Sequence, residues 1–179
     1  MYVPSGYGEA LAEALWGIEE TLGGVLYGTE ALGALRIEKG HVAGAELDGR
    51  TTLEDLGMGR MASTAKPFIG SVLRHRAGMT DPSRPRLVGI KPVEPGQRLR
   101  NGALLFADQN VSGHGIGWIS SVTYSHECAG HIGLGCIAGG LDAWLDRTAV
   151  LSDPVRGDRF SVRVVAPCFV DPEGVRLHA

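Results

Sequence analysis

GWISSVTYSHECAGHIGLGCIA, residues 117–138, is the stretch on which the fold of this chain turns. Gly117–Tyr124 and Gly130–Ala138 read as two strands, and Gly139-Gly140 follows the second as a turn signal. His126, Cys128, His131 and Cys136 fall within the same window and at first sight suggest a metal cluster. Their spacings match no usual zinc pattern, and Cys136 sits in a glycine-rich apolar strand. In extended chain, residues 126, 128 and 136 share one face and His131 takes the other. No metal site is therefore expected.

Outward from this pair the pattern stays β throughout the second half. Further candidate strands are Arg86–Lys91, Leu99–Ala107, Arg147–Leu151 and Phe160–Ala166. Turn signals punctuate them at Glu94-Pro95-Gly96, Asn101-Gly102, Asp153-Pro154 and Arg156-Gly157-Asp158. Short strands with regularly spaced turns predict a small barrel or sandwich. Immediately upstream, DPSRP (81–85) holds two prolines and no hydrophobic anchor, and reads as a linker.

The first eighty residues differ. Leu11, Leu15, Ile18 and Leu22 fall at helical spacing from about Gly8 to Leu22, Trp16 broadens the stripe, and Gly23-Gly24 ends it. Thr29 can N-cap a second, shorter helix that Gly40 closes. Asp48-Gly49 predicts a turn between short extended pieces. GMGRMASTAKPFIG (57–70) reads as loop and strand ends, and residues 71–76 as a helical turn. Met1-Tyr2-Val3-Pro4 reads as the end of a strand, as if the chain were cut into an element.

The whole chain sets bounds on function. Its 179 residues suffice for one full core or two small ones, and 44% hydrophobic with 21% charged residues is a globular balance. A net charge of −3 predicts no general attraction to nucleic acid or anionic membrane. No apolar run approaches a membrane span, so no membrane partner is expected. Three cysteines cannot form a fully paired framework, which favours a reducing, cytoplasmic setting. The glycines of Gly57-x-Gly59 and Gly113-x-Gly115-x-Gly117 lack the strand-before, helix-after context of a dinucleotide or phosphate loop. Arginines 74, 76, 84, 86, 98 and 100 form a modest basic stretch without interleaved aromatics, which argues against nucleic acid. Nothing near Cys168 resembles the environment of an activated thiol.

One residue stands out in LGALRIEKGHVAG (32–44). Glu38 falls at or just past a helix C-terminus, where the macrodipole disfavours negative charge, beside the apolar Leu35 and Ile37. Something should compensate its charge. One reading is a local ion pair with Arg36, Lys39 or Arg50; the other is a ligand whose adjacent N–H donors meet both carboxylate oxygens. Pattern alone leaves both open.

Taken together, YGTEALGALRIEKGHVAGAELDGRTTLEDLGMGRMASTAKPFIG (27–70) resembles the folate-binding aminomethyltransferase family, of which the glycine-cleavage T-protein is the type member. EKGHVAG and RMASTAKPFIG look most like the alpha subunit of heterotetrameric sarcosine oxidases. DPSRPRLVGIKPV, LRNGALLF, GWISSVTYS, HIGLGCIAGG and the closing LSDPVRGDRFSVRVVAPCFVDPEGVRLHA agree. The resemblance implies an α+β fold: a truncated folate-binding α/β region over residues 1–80, the linker at 81–85, and a small C-terminal antiparallel β-barrel over 86–179. It implies that Glu38 of L-R-I-E-K-G binds the pterin of tetrahydrofolate. By the same carry-over, Lys66 stands at a folate-contacting basic position and His41 stands near the pterin.

The implied reaction is one-carbon transfer, in which tetrahydrofolate takes the unit released from an oxidised N-methyl amine such as sarcosine and becomes 5,10-methylenetetrahydrofolate. The family's catalytic aspartate lies upstream of this chain, so no catalytic residue is expected within it. The parent would carry FAD, FMN and NAD outside this segment, and its partners would be the remainder of the alpha subunit and the other oxidase subunits. The alternative implied is a T-protein-like fragment or a non-catalytic folate-binding or assembly module. Two departures stand out. Ser125-His126 replaces the family's Ser-Pro, and DPEG (171–174) stands where the T-protein has a folate-contacting tyrosine.

Overall fold

Six antiparallel strands close into a barrel in the order β1-β4-β3-β2-β5-β6. They are β1 (Pro85–Pro92), β2 (Leu104–Phe106), β3 (Gly117–Ser125), β4 (Gly130–Ala138), β5 (Thr148–Asp153) and β6 (Asp158–Val165). The computed structural model describes residues 2–177. Among the described residues four α-helices accompany the strands: α1 (Gly8–Leu22), α2 (Thr29–Glu38), α3 (Ala77–Thr80) and α4 (Gly140–Trp144). Compact packing divides the chain between Leu32 and Gly33.

In the first unit, α1 occupies the span its apolar spacing predicts and ends on Gly23 at φ 70°, whose N–H caps Glu19 O. None of its residues is buried. Tyr2, Val3 and Pro4 form no strand, contrary to expectation, and lead straight into a 3-10 turn at Ser5–Tyr7; Met1 lies outside the described residues.

The second unit is built on alternation. Val88, Ile90, Leu105, Ile119, Ile137, Leu151, Val162 and Val164 fill the barrel with side chains almost wholly removed from water. Leu87, Ile132 and Leu134 lie on a second apolar cluster with Ile37, joined by Val42 and Phe169. β1 and β4 are thus covered on both faces, which is why GHIGLGCIA lacks polar alternation. Glycine within it permits close strand approach: a Cβ on Gly135 would lie 2.5 Å from Trp118 O.

Several expected elements are corrected. The strand expected over Leu99–Ala107 shortens to Leu104–Phe106, because Gly102 at φ 81° turns the chain, although Leu99 still reaches the core. Gly139-Gly140 is no simple turn but opens the short helix α4. No strand precedes β1 among the described residues, so the expected extended pieces around Asp48-Gly49 and the strand ends within 57–70 are absent. Residues 44–46 and 59–61 form 3-10 turns instead, and Asp48 folds onto its own chain by accepting from Arg50 N at 2.6 Å. Short polar side chains that satisfy local amides compete with extended pairing. The α/β character expected of residues 1–80 is therefore helix and turn in the described chain.

Residues 81–84 form a turn tied by Arg84, whose guanidinium grips the Asp55 carboxylate at 2.5–3.1 Å. Asp55 is nearly inaccessible, and its backbone carbonyl accepts from Leu87 N at 2.7 Å.

Candidate functional site

LRIEKG closes α2 by a two-bond motif. His41 N donates to Arg36 O at 2.8 Å and Gly40 N to Ile37 O at 3.0 Å, with Gly40 left-handed at φ 75°. A Cβ at Gly40 would lie 2.6 Å from Pro167 O, so close approach as well as handedness demands glycine here. The chain after β6 docks on this helix end: Phe169 N and Val170 N both donate to Glu38 O, at 2.8 and 3.1 Å. One of the unsatisfied carbonyls of the helix end thereby gains two partners.

The Glu38 side chain forms none of the expected ion pairs. Arg36 turns to Glu46 at 3.0 Å, Lys39 to Asp171 at 3.3 Å and Arg50 to Asp48 at 2.7 Å. Glu38 Oε1 instead accepts from the Ser125 hydroxyl at 2.6 Å, while that hydroxyl accepts from Cys128 N at 3.0 Å. Ser125 is fully buried and Glu38 half-buried. Among the described residues Oε2 has no hydrogen-bond partner. One carboxylate oxygen is held and the other is left as an acceptor.

Arg36 also belongs to a largely buried triad that sequence reasoning missed. Glu46 is 1% exposed and accepts from Arg36 Nη1 at 3.0 Å, Ala43 N at 2.9 Å and the Ser121 hydroxyl at 2.5 Å. Arg36 Nη2 in turn donates to Ser121 at 2.6 Å. Burial pushes the Glu46 pKa up, but the polar serines of β3, with hydrogen bonds from Ser121 and Ala43 N, and the charge of Arg36 outweigh it and hold the group below its usual range.

A β-bulge brings these serines to α2. β3 pairs regularly up to Ile119↔Gly135 and resumes at Ser121↔Leu134, so Ser120 is the extra residue. Ile119 points into the barrel core, yet Ser121 and Ser125, of the same parity, reach Arg36, Glu46 and Glu38. One inserted residue exchanges the faces. No sequence signal marks the bulge beyond the polar pair Ser120-Ser121 itself.

His41 is exposed at the margin of a small cleft of about 280 Å³ shared with Gly40, Val42, Leu56 and Met58. Lys66 is exposed, and its recorded bond is through the backbone, donated to the Ser63 hydroxyl at 3.3 Å. Among the described residues no hydrogen bond or ion pair joins Lys66 or the His41 side chain to Glu38. Among the described residues no three His, Cys, Asp or Glu side chains gather as a metal site. Cys136 is buried within β4, and burial pushes its thiol up to about 11. The arrangement offers a ligand an oriented acceptor.

Residues 86–171 match the family model described as the glycine cleavage T-protein C-terminal barrel domain. The chain is 37% identical over 179 residues to sarcosine oxidase subunit alpha of Rhizobium meliloti (strain 1021), covering 98% of this chain and 18% of that protein. It is 33% identical to sarcosine oxidase subunit alpha of Corynebacterium sp. (strain P-1), covering 97% of this chain and 18% of that one. Among solved structures, aminomethyltransferase T of the glycine cleavage system from Bartonella henselae superposes with a TM-score of 0.74 at 26% identity, over 95% of this chain and 45% of that one. The chain thus spans about a fifth of the length of the curated relatives it matches.

Proposed function

Because this chain is 37% identical to a sarcosine oxidase alpha subunit and its residues 86–171 match the T-protein C-terminal barrel, we propose that it is a segment of that family and supplies part of a tetrahydrofolate site to a longer amine-oxidising enzyme. The observation that carries this reading is the Glu38 carboxylate, with Oε1 held by Ser125 and Oε2 free to accept. A pterin's 2-amino and ring N–H groups form a donor edge that a carboxylate meets with paired hydrogen bonds. The donor set therefore fits the group.

Within the site, Glu38 orients the ligand by accepting from it, and Ser125 keeps the carboxylate from rotating away. By the family resemblance His41 and Lys66 join this reading as further ligand contacts, Lys66 offering a positive charge to an acidic portion of the ligand. Bound tetrahydrofolate supplies the nitrogens that take up the one-carbon unit, giving 5,10-methylenetetrahydrofolate. This segment contributes position and electrostatics, with no catalytic residue of its own. FAD, FMN and NAD, the oxidation of sarcosine, and contacts with the remaining subunits belong on this reading to the rest of the parent, in a reducing, cytoplasmic setting that the three free cysteines suit.

The test is a tetrahydrofolate titration of the parent enzyme carrying Glu38→Gln. Loss of a charged acceptor costs about 1.5–3 kcal/mol, or roughly one to two decades in affinity. Flavin-dependent amine oxidation should persist in the same variant. An unchanged folate titration rules the assignment out.

A further inference from the structure

At one end of the barrel the β1–β2 connection, strands β3 and β4 and the β5–β6 turn enclose a polar cleft of about 430 Å³. Arg98, Arg100 and Arg156 line it with His131, Tyr124 and Asn101, and no carboxylate is among its lining residues. The chain as a whole carries a net charge of −3, so three guanidiniums on one concave surface are a local concentration of the opposite sign.

The counter-charges nearby are loosely engaged. Arg100 Nε stands 3.9 Å from Asp158 and Arg156 Nη1 stands 3.6 Å from Asp153, both beyond hydrogen-bond distance. Asp153 spends one oxygen on the backbone N–H groups of Val155 and Arg156. Arg98 enters no recorded ion pair among the described residues. Arg100 Nε and His131 Nδ1 are sealed from solvent without any hydrogen-bond partner. Neither atom opens on the cleft, so the recognition falls to the outer guanidinium N–H groups of Arg98, Arg100 and Arg156, which line one concave surface with no carboxylate among them and call for an acceptor.

The walls are ordered enough to hold a ligand. Leu99, 1% exposed, anchors the arginine-bearing connection in the barrel core. Tyr124 packs edge-on against His131 at 5.5 Å and His126 at 5.3 Å, which fixes the imidazole at the cleft wall. We propose that this cleft binds a small oxyanionic molecule, carboxylate- or phosphate-bearing, through Arg98, Arg100 and His131. Guanidinium forks match both chemistries by paired N–H donors, and the volume admits a ligand larger than a single phosphate. None of the lining residues is Glu38, His41 or Lys66, so the inference is independent of the folate reading.

The test is an NMR titration of the full 179-residue chain with sodium phosphate and, separately, sodium succinate, at ionic strength held constant with sodium chloride. Saturable shifts of the arginine Nε–H and His131 ring signals are expected with one or both anions, and the responding anion names the chemistry. Arg98→Gln should weaken that binding by about tenfold. Among the described residues its exposed side chain makes no hydrogen bond or ion pair, so thermal unfolding should stay unchanged. Arg100→Gln should weaken binding at least as much. Shifts that never saturate with either anion, saturation unaffected by both substitutions, or response only to an acidic partner peptide would each overturn the proposal.

Discussion

Ser125 Oγ donates to Glu38 Oε1 at 2.6 Å across 87 residues of chain. The contact joins the last turn of α2 to the end of β3, and it holds a single acceptor oxygen while leaving its twin free. Because the same hydroxyl also accepts from Cys128 N, the orientation of Glu38 is coupled to the β3–β4 turn. Acidic charge at a helix C-terminus is thereby held by a neutral donor in place of a cation, which keeps the carboxylate available to another donor set.

Ser125→Ala removes this donor and strands the Cys128 N–H. The expected loss is about 1–3 kcal/mol of stability, measured by urea unfolding. In the parent enzyme the same substitution should weaken tetrahydrofolate binding less than Glu38→Gln does, because the acceptor remains but its orientation is lost.

Gly40→Ala places a Cβ 2.6 Å from Pro167 O at a residue with φ 75°. Left-handed strain alone costs about 1–3 kcal/mol, and the clash adds to it. Denaturation should show a loss at the upper end of that range or beyond, together with faster amide exchange at Phe169 and Val170, whose N–H groups bond to Glu38 O. A neutral substitution would refute the close approach.

Glu46 and Asp55 predict acid sensitivity. For both carboxyls burial raises the pKa, and hydrogen bonds from Ser121 and Ala43 N to Glu46, or from Arg84 and Thr52 to Asp55, help overcome it and lower the net value. The unfolded chain then binds protons more readily than the folded one, so their stabilisation is complete above the unfolded values of about 4 and is lost as pH falls through the depressed folded ones. Unfolding midpoints should drop steeply below about pH 4. Glu46→Gln should be less stable at neutral pH and show a shallower acid slope.

Thiol reactivity should separate the cysteines. Cys136 is 2% exposed with its thiol pushed up to about 11, whereas Cys128 and Cys168 are partly accessible. Iodoacetamide at neutral pH should label Cys128 and Cys168 in the folded chain and reach Cys136 only in denaturant, as read by mass spectrometry. Prompt labelling of Cys136 without denaturant would contradict its place in β4.

Local pattern determined much of this protein. The apolar spacing of residues 8–22 specifies α1, the glycine after L-R-I-E-K ends α2, and Gly130–Ala138 is a strand over the whole stretch its composition indicates. Those features rest on interactions among near neighbours, which sequence displays directly. The surroundings of Glu38 do not. Arg36 and Lys39, its nearest cations in sequence, are drawn to Glu46 and Asp171, and the residue that does meet it sits on a distant strand. Whether Ser121 and Ser125 face the core or α2 depends on one extra residue at Ser120, because strand parity reverses with each inserted residue. Parity is a property of pairing between β3 and β4, absent from either strand alone. The tertiary structure therefore decided which side of β3 met α2, and with it why the Glu38 carboxylate is held yet still open.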